Sequence, residues 1–112
     1  MMLNRETINN RFKLAYHRIV ARRMKTNPSV TLKAKEIVAD WNKLPTPPTY
    51  AVAWKDLLSL PDSVVGHELT RRSEWHDFLR INSPFGILGE LIMSEHDRQR
   101  LWQVINRSKV TS

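Results

Sequence analysis

"HELTR", His67 to Arg71, is the first half of the HExxH pattern with which a helix offers two histidines to zinc. Arg71 stands where the second histidine belongs, and a cation there opposes metal binding. His17, His76 and His96 pair neither with one another nor with His67 at i, i+3 or i, i+4. No helix therefore presents two imidazoles on one face, and no metal site is expected. "EWHD" brings together Glu74, His76 and Asp77, residue types suited to acid–base transfer. Adjacent residues on a helix point in different directions, so a solvated face is the expectation. The chain has no cysteine, which excludes disulfides, thiolate ligands and a cysteine nucleophile. Walker, GxGxxG and GxSxG patterns are absent as well. No catalytic constellation and no cofactor motif can be assembled, and a non-enzymatic protein is expected.

Charge carries more information than motif. Residues 1–35 hold nine Lys and Arg against one acid, Glu6, a net of +8. Residues 36–112 hold nine against ten, so the whole excess of +7 lies in the first third. Such asymmetry points to an anionic partner: nucleic acid, an acidic protein or a membrane surface. Arg11, Arg18, Arg22 and Lys25 recur at i, i+7, i+11 and i+14 and form one helical stripe, with Arg23 beside it. If nucleic acid binds, Arg11, Arg18, Arg22, Arg23 and Lys25 make phosphate contacts, which position without specifying.

The elements that must hold this stripe all read as helix. With 112 residues the chain fits one domain, here 1–112, with a core that needs no staples. Hairpin dipeptides and period-2 alternation are missing. The first helix is expected over 6–25, its apolar stripe made by Ile8, Phe12, Ala15, Tyr16 and Ile19. Asn27 and Pro28 then cap and start a second helix, with Val30, Ala34, Ile37, Val38 and Trp41 inward. "NKLPTPPT" ends it. A third helix uses Tyr50, Trp54, Leu57 and Leu58. Asp62 can cap a fourth with Val65 and Leu69, and Ser73 a fifth with Trp75, Phe78 and Leu79. Ser94 starts the last, which carries Leu101, Trp102, Val104 and Ile105. The expected fold is an all-α, compact bundle of five to seven short helices. Asp62–Arg80 also has helix-turn-helix spacing, weakened by Glu68, Glu74 and Asp77, which would lie near phosphates. Trp41, Trp54, Trp75 and Trp102, one per helix, could stack on bases; at this spacing they read as core.

The apolar segment 85–93 admits two readings. Ser83 and Pro84 stop one helix and can start another, on which Phe85, Leu88 and Ile92 share a face beside Ile87 and Leu91. A segment apolar on more than one side must be buried on more than one side. It is therefore a central plug, or else a docking surface or dimer interface for a partner.

Several fragments in order carry a resemblance: "AYHRIVARRMKTNPSV", "AKEIVADWNK", "YAVAWKDLLSLP", "FLRINSPFG" and "RQRLWQVI". Over about His17 to Ile105 the chain resembles a family of small helical bacterial proteins with a Leu-Arg-x-x-Ser-Pro-Phe signature. The matched positions are His17, Arg18, Arg22, Asn27, Pro28, Trp41, Tyr50, Trp54, Leu57, Leu58, Leu79, Arg80, Ser83, Pro84 and Phe85. The family pattern follows Ser-Pro-Phe with a short Gly-Val-Leu turn, whereas "GILGELIM" makes this connection longer. The resemblance implies an antitoxin-like protein, encoded beside another gene, that binds a partner. Arg80 and Asn82 are expected to satisfy helix-end or loop carbonyls, and Phe85 to anchor the turn in the core.

The combined expectation is an antitoxin-like regulator that masks a cognate protein, with a DNA- or RNA-binding regulator as the alternative. The N-terminus lacks the apolar run of a signal peptide, and no segment approaches the ~20 apolar residues of a membrane span. A cytoplasmic location without membrane contact is expected, and self-association is left open.

Overall fold

The computed structural model describes residues 5–110, with side chains through Arg107; residues 1–4 and 111–112 of the expected domain lie outside the described residues. Six α-helices follow one another: α1 (Arg5–Thr26), α2 (Pro28–Trp41), α3 (Thr49–Leu58), α4 (Asp62–Leu69), α5 (Glu74–Ile81) and α6 (Glu95–Val110). Two 3-10 turns, Pro84–Ile87 and Gly89–Leu91, lie between α5 and α6. The described residues contain no strand, and the bundle is all-α.

The axis is α1, against which α2, α4, α5 and α6 pack. Its 22 residues rise about 33 Å, most of the 45 Å long dimension of the molecule. Its buried row is Ile8, Phe12, Tyr16, Val20 and Met24, one residue per turn at i+4, with His17 beside it. Val20 and Met24 thus extend the row, while Ala15 and Ile19 from the expected stripe flank it half-buried. Where α4 crosses, a Cβ on Gly66 would stand 3.6 Å from the Cβ of Ala21.

Asn27 caps α2 by accepting the Ser29 N–H at 3.0 Å, with Pro28 as first helical residue. Val30, Ala34 and Val38 are buried, and Ile37 and Trp41 half-buried. The Asn42 side-chain amide donates to the carbonyls of Val38 and Ala51, tying the end of α2 to α3. Trp54 of α3 is 1% exposed, and its indole N–H donates to the Leu79 carbonyl at 3.2 Å. Asp62 is not the α4 cap: Pro61 holds that position and Asp62 is the first helical residue. Ser73 does cap α5, accepting the His76 N–H at 3.0 Å. Ser94 caps α6 by accepting the Asp97 N–H.

Three further expectations need correction. Segment 85–93 is not a continuous helix. The Ser83 hydroxyl accepts the Phe85 N–H and starts a 3-10 turn, and Gly89 sits at φ +58°, where a helix cannot continue. Trp75 and Phe78 do not face the core: they are 48% and 38% exposed. Only Leu79 and Arg80 of α5 are buried, because this two-turn helix turns one narrow side inward. Val104 of α6 is exposed too, leaving Leu101, Trp102 and Ile105 half-buried. The Trp102 ring stacks on Phe12 with centroids 3.9 Å apart.

Candidate functional site

Residues 66 and more positions apart in the chain meet at the end of α5. His17 is 1% exposed. Its Nδ1–H donates to the Lys13 carbonyl at 2.6 Å, so Nε2 is free to accept the Ser83 hydroxyl at 2.7 Å. Ser83 in turn accepts the Phe85 N–H at 3.1 Å, and the Phe85 carbonyl accepts the Tyr16 hydroxyl at 2.7 Å. Burial holds the His17 pKa down at about 4, helped by Arg80 and Lys13 against the opposing Lys13 carbonyl bond. Burial also raises Tyr16 to about 12, partly offset by Arg98. A serine hydroxyl on an imidazole has the outline of nucleophile and base. However, a base with pKa near 4 is poorly matched to proton abstraction at neutral pH, and Ser83 already holds the turn. The knot locks the 3-10 segment onto α1.

Arg80 is the second buried polar group. It is 3% exposed, and Nη1 donates to the carbonyls of Leu69 and Arg71 while Nη2 binds Asp77 at 2.6 Å. The Asn82 amide donates to the Phe78 carbonyl. Both side chains satisfy helix-end and loop carbonyls as expected. The Nε–H of Arg80 is left buried without a partner, a cost of about 1–3 kcal/mol unless something else accepts it.

The "EWHD" cluster is wired differently from its sequence order. His76 Nε2 binds Glu68 of α4 at 2.7 Å and Nδ1 meets the Ser73 hydroxyl, while Asp77 belongs to Arg80. The His76 bond holds the Glu68 carboxyl below its usual range, and Arg71 adds to this. Serine, imidazole and carboxylate are thus in line, but Ser73 is committed to capping α5 and the chain fastens α4 to α5. Among the described residues, no group of three His, Asp or Glu could hold a metal.

The basic stripe is a surface. Arg11, Arg18, Arg22 and Lys25 are all exposed and have no ion-pair partner among the described residues. The stripe straddles two grooves. One, about 480 Å³, runs between α1 and α4 with Arg18, Arg22, Lys25, Ser63 and His67 on its walls. The other, about 490 Å³, lies nearer the N-terminal half of α1, with Arg11, Arg18, Arg72 and Arg80. Arg23, exposed beside the stripe, donates its Nε–H to the Ile92 carbonyl at 3.1 Å.

The apolar candidates divide as well. Phe85 and Ile92 are core, at 0% and 1% exposure. Leu88 and Leu91 are half-buried against that core, and Ile87 is 68% exposed. A different apolar surface appears in their place. Trp41, Tyr50, Phe78 and Trp75 form a chain of rings with successive centroids 5.3, 6.4 and 5.5 Å apart. It ends on the exposed side of α5, where Ile81 follows Phe78 one turn on.

The chain matches no family model, no curated protein and no solved structure. The surfaces themselves must carry the functional argument. Two features of them escape a reading of the sequence. Arg72 is visible there only as half of "RR" in a short loop, with nothing to say which groove it walls. The outward face of α5 is hidden because aromatic residues at helical spacing usually mean core. No helix of the described residues is long and apolar enough to cross a membrane.

Proposed function

We propose that this protein is a non-enzymatic binding protein, an antitoxin-like cytoplasmic regulator that masks a cognate protein partner. The observation that carries the reading is the uncovered aromatic face of α5: Trp75 and Phe78 stack on each other and Ile81 continues the row, all exposed. Aromatic side chains presented by a rigid helix are the usual anchors of protein interfaces. The resemblance to small partner-binding helical proteins points the same way. The test is a tagged pull-down from native lysate, run with and without nuclease and read by mass spectrometry. A stoichiometric protein that survives nuclease is expected. Replacing Trp75 and Phe78 together by Ala should weaken its capture by about 30-fold or more, the effect of losing one interface hot spot of ~2 kcal/mol. The absence of any stoichiometric protein would overturn the reading, and recovery of the tagged chain with its own untagged copy would replace it by self-association.

A second reading, a DNA- or RNA-binding regulator, is favoured by the four unpaired cations aligned along α1. Arg11, Arg18, Arg22 and Lys25 offer four phosphate contacts. Duplex binding should then fall with salt at a log–log slope of roughly −4, about −0.9 per neutralised phosphate. Reversing Arg18, Arg22 and Lys25 to Glu should abolish it without loss of helical signal, since all three are exposed. Binding indifferent to salt would remove this reading.

A further inference from the structure

The groove on the α5 side of α1 brings Arg72 and Arg80 to two cations of the basic stripe, Arg11 and Arg18. Four guanidinium groups border it: Arg11 and Arg18 from α1, Arg72 from the α4–α5 loop and Arg80 from α5. A single carboxylate, Asp77, borders it with them, and that carboxylate is already bound to Arg80 at 2.6 Å. Arg11, Arg18 and Arg72 are exposed and have no ion-pair partner among the described residues. Arg80 is 3% exposed, and its buried Nε–H has no acceptor. Like charges that converge from three elements repel one another, and an anion with several oxygens offsets that repulsion. Planar guanidinium forks match phosphate oxygens in particular.

The rest of the wall is part polar, from Thr7 and Asn10, and part apolar. Leu14, Ala15 and Ile105 line the same groove. Its volume, about 490 Å³, falls in the range of small-molecule sites and exceeds what a bare phosphate fills. We propose that this groove binds a nucleoside phosphate, with the phosphates on Arg11, Arg18 and Arg72 and the nucleoside against Leu14, Ala15 and Ile105. The site requires neither the aromatic face of α5 nor the far end of the basic stripe at Arg22 and Lys25. It shares Arg11 and Arg18 with the nucleic-acid reading, and Lys25, which only that reading needs, separates the two.

Isothermal titration of the full chain with each of the four ribonucleoside triphosphates tests it, with adenosine and tripolyphosphate as controls. At least one triphosphate should bind, and both controls should bind about tenfold or more weakly, because each lacks one half of the ligand. Arg11→Glu with Arg72→Glu should weaken the triphosphate about tenfold or more, whereas Lys25→Glu should leave it within about threefold. Circular dichroism should confirm that each variant keeps its helical signal. Arg72→Ala, a milder change on an exposed loop residue, gives a second test should the double variant unfold. Three results would each overturn the assignment: no triphosphate binding at millimolar concentration, tripolyphosphate binding as tightly as the nucleotide, or equal losses from Lys25→Glu and the Arg11/Arg72 variant. The last would mean that the basic field of α1 attracts anions without a built site.

Discussion

Phe85→Ala is expected to destabilise the fold by about 3–5 kcal/mol, the usual cost of truncating a buried phenylalanine. Domains of this kind hold only ~5–15 kcal/mol in total, so a large share of the stability rests on one ring. The ring is fully buried, and meets Trp54 and His17 edge-on at 5.8 and 6.3 Å. Its backbone is held on both sides, N–H on Ser83 and carbonyl on Tyr16, so the surroundings have little freedom to collapse into the space. The comparison is Ile87→Ala, two residues along the same segment and 68% exposed. It should change stability by no more than about 0.5 kcal/mol. Urea unfolding followed by circular dichroism, with equal m-values for the two variants, measures both. Similar costs at Phe85 and Ile87 would contradict a plug that inserts by one side only.

That contrast also shows how far the sequence can be read. Segment 85–93 announces itself as buried, because its apolar residues crowd together. Which of them turn inward depends on a 3-10 turn set by Ser83 and a left-handed Gly89, and no α-helical or strand period describes that geometry. In α2 the period alone suffices: Asn27-Pro28 starts the helix, and Val30, Ala34 and Val38 are among the residues buried. In α1 it nearly suffices, but 3.6 residues per turn makes adjacent rows hard to separate, and the buried row runs through Val20 and Met24 rather than Ala15 and Ile19. The helix α5 misleads most. A buried arginine beside two exposed aromatics inverts the usual order, and it is possible only because the carbonyls of Leu69 and Arg71 come from outside α5 to solvate Arg80. The candidate sites follow the same division. Exposed cations on one helix are legible from spacing, whereas Arg72 and Arg80 join Arg11 and Arg18 only through tertiary packing.

The second large effect lies in the pH dependence of stability, and it is centred on His17. Its folded pKa is held at about 4, against 6.5 for the free side chain. Between those values the unfolded chain takes up a proton that the folded chain refuses. The unfolded state then binds more protons, so stability must fall as the pH falls through this window. The difference corresponds to about 3 kcal/mol at ~1.4 kcal/mol per pH unit, and the loss levels off below about pH 4, where the folded form is protonated too. Burial is the main cause; the charges facing the ring, Lys13 on its own helix and Arg80 on α5, add to it. Tyr16 closes the other side: with its pKa raised from 10.0 to about 12, its contribution is constant below the unfolded value and is lost as the pH rises beyond it. There the unfolded chain releases its phenolic proton first, so the folded state is penalised as the pH passes from 10.0 towards 12. His17→Gln removes the titrating group while keeping a polar side chain near Ser83. Its unfolding midpoint should be lower than wild type at pH 7, yet change much less between about pH 6.5 and 4. Parallel curves for the two proteins would assign the acid sensitivity to other groups, such as the Glu68 carboxylate, whose lowered pKa also gives stability that is lost as the pH falls. Protonation of His17 would remove the acceptor for the Ser83 hydroxyl. The expected first consequence is loosening of the 3-10 segment from α1, visible as amide exchange that accelerates at Phe85 before it does at Ala34 in the buried row of α2.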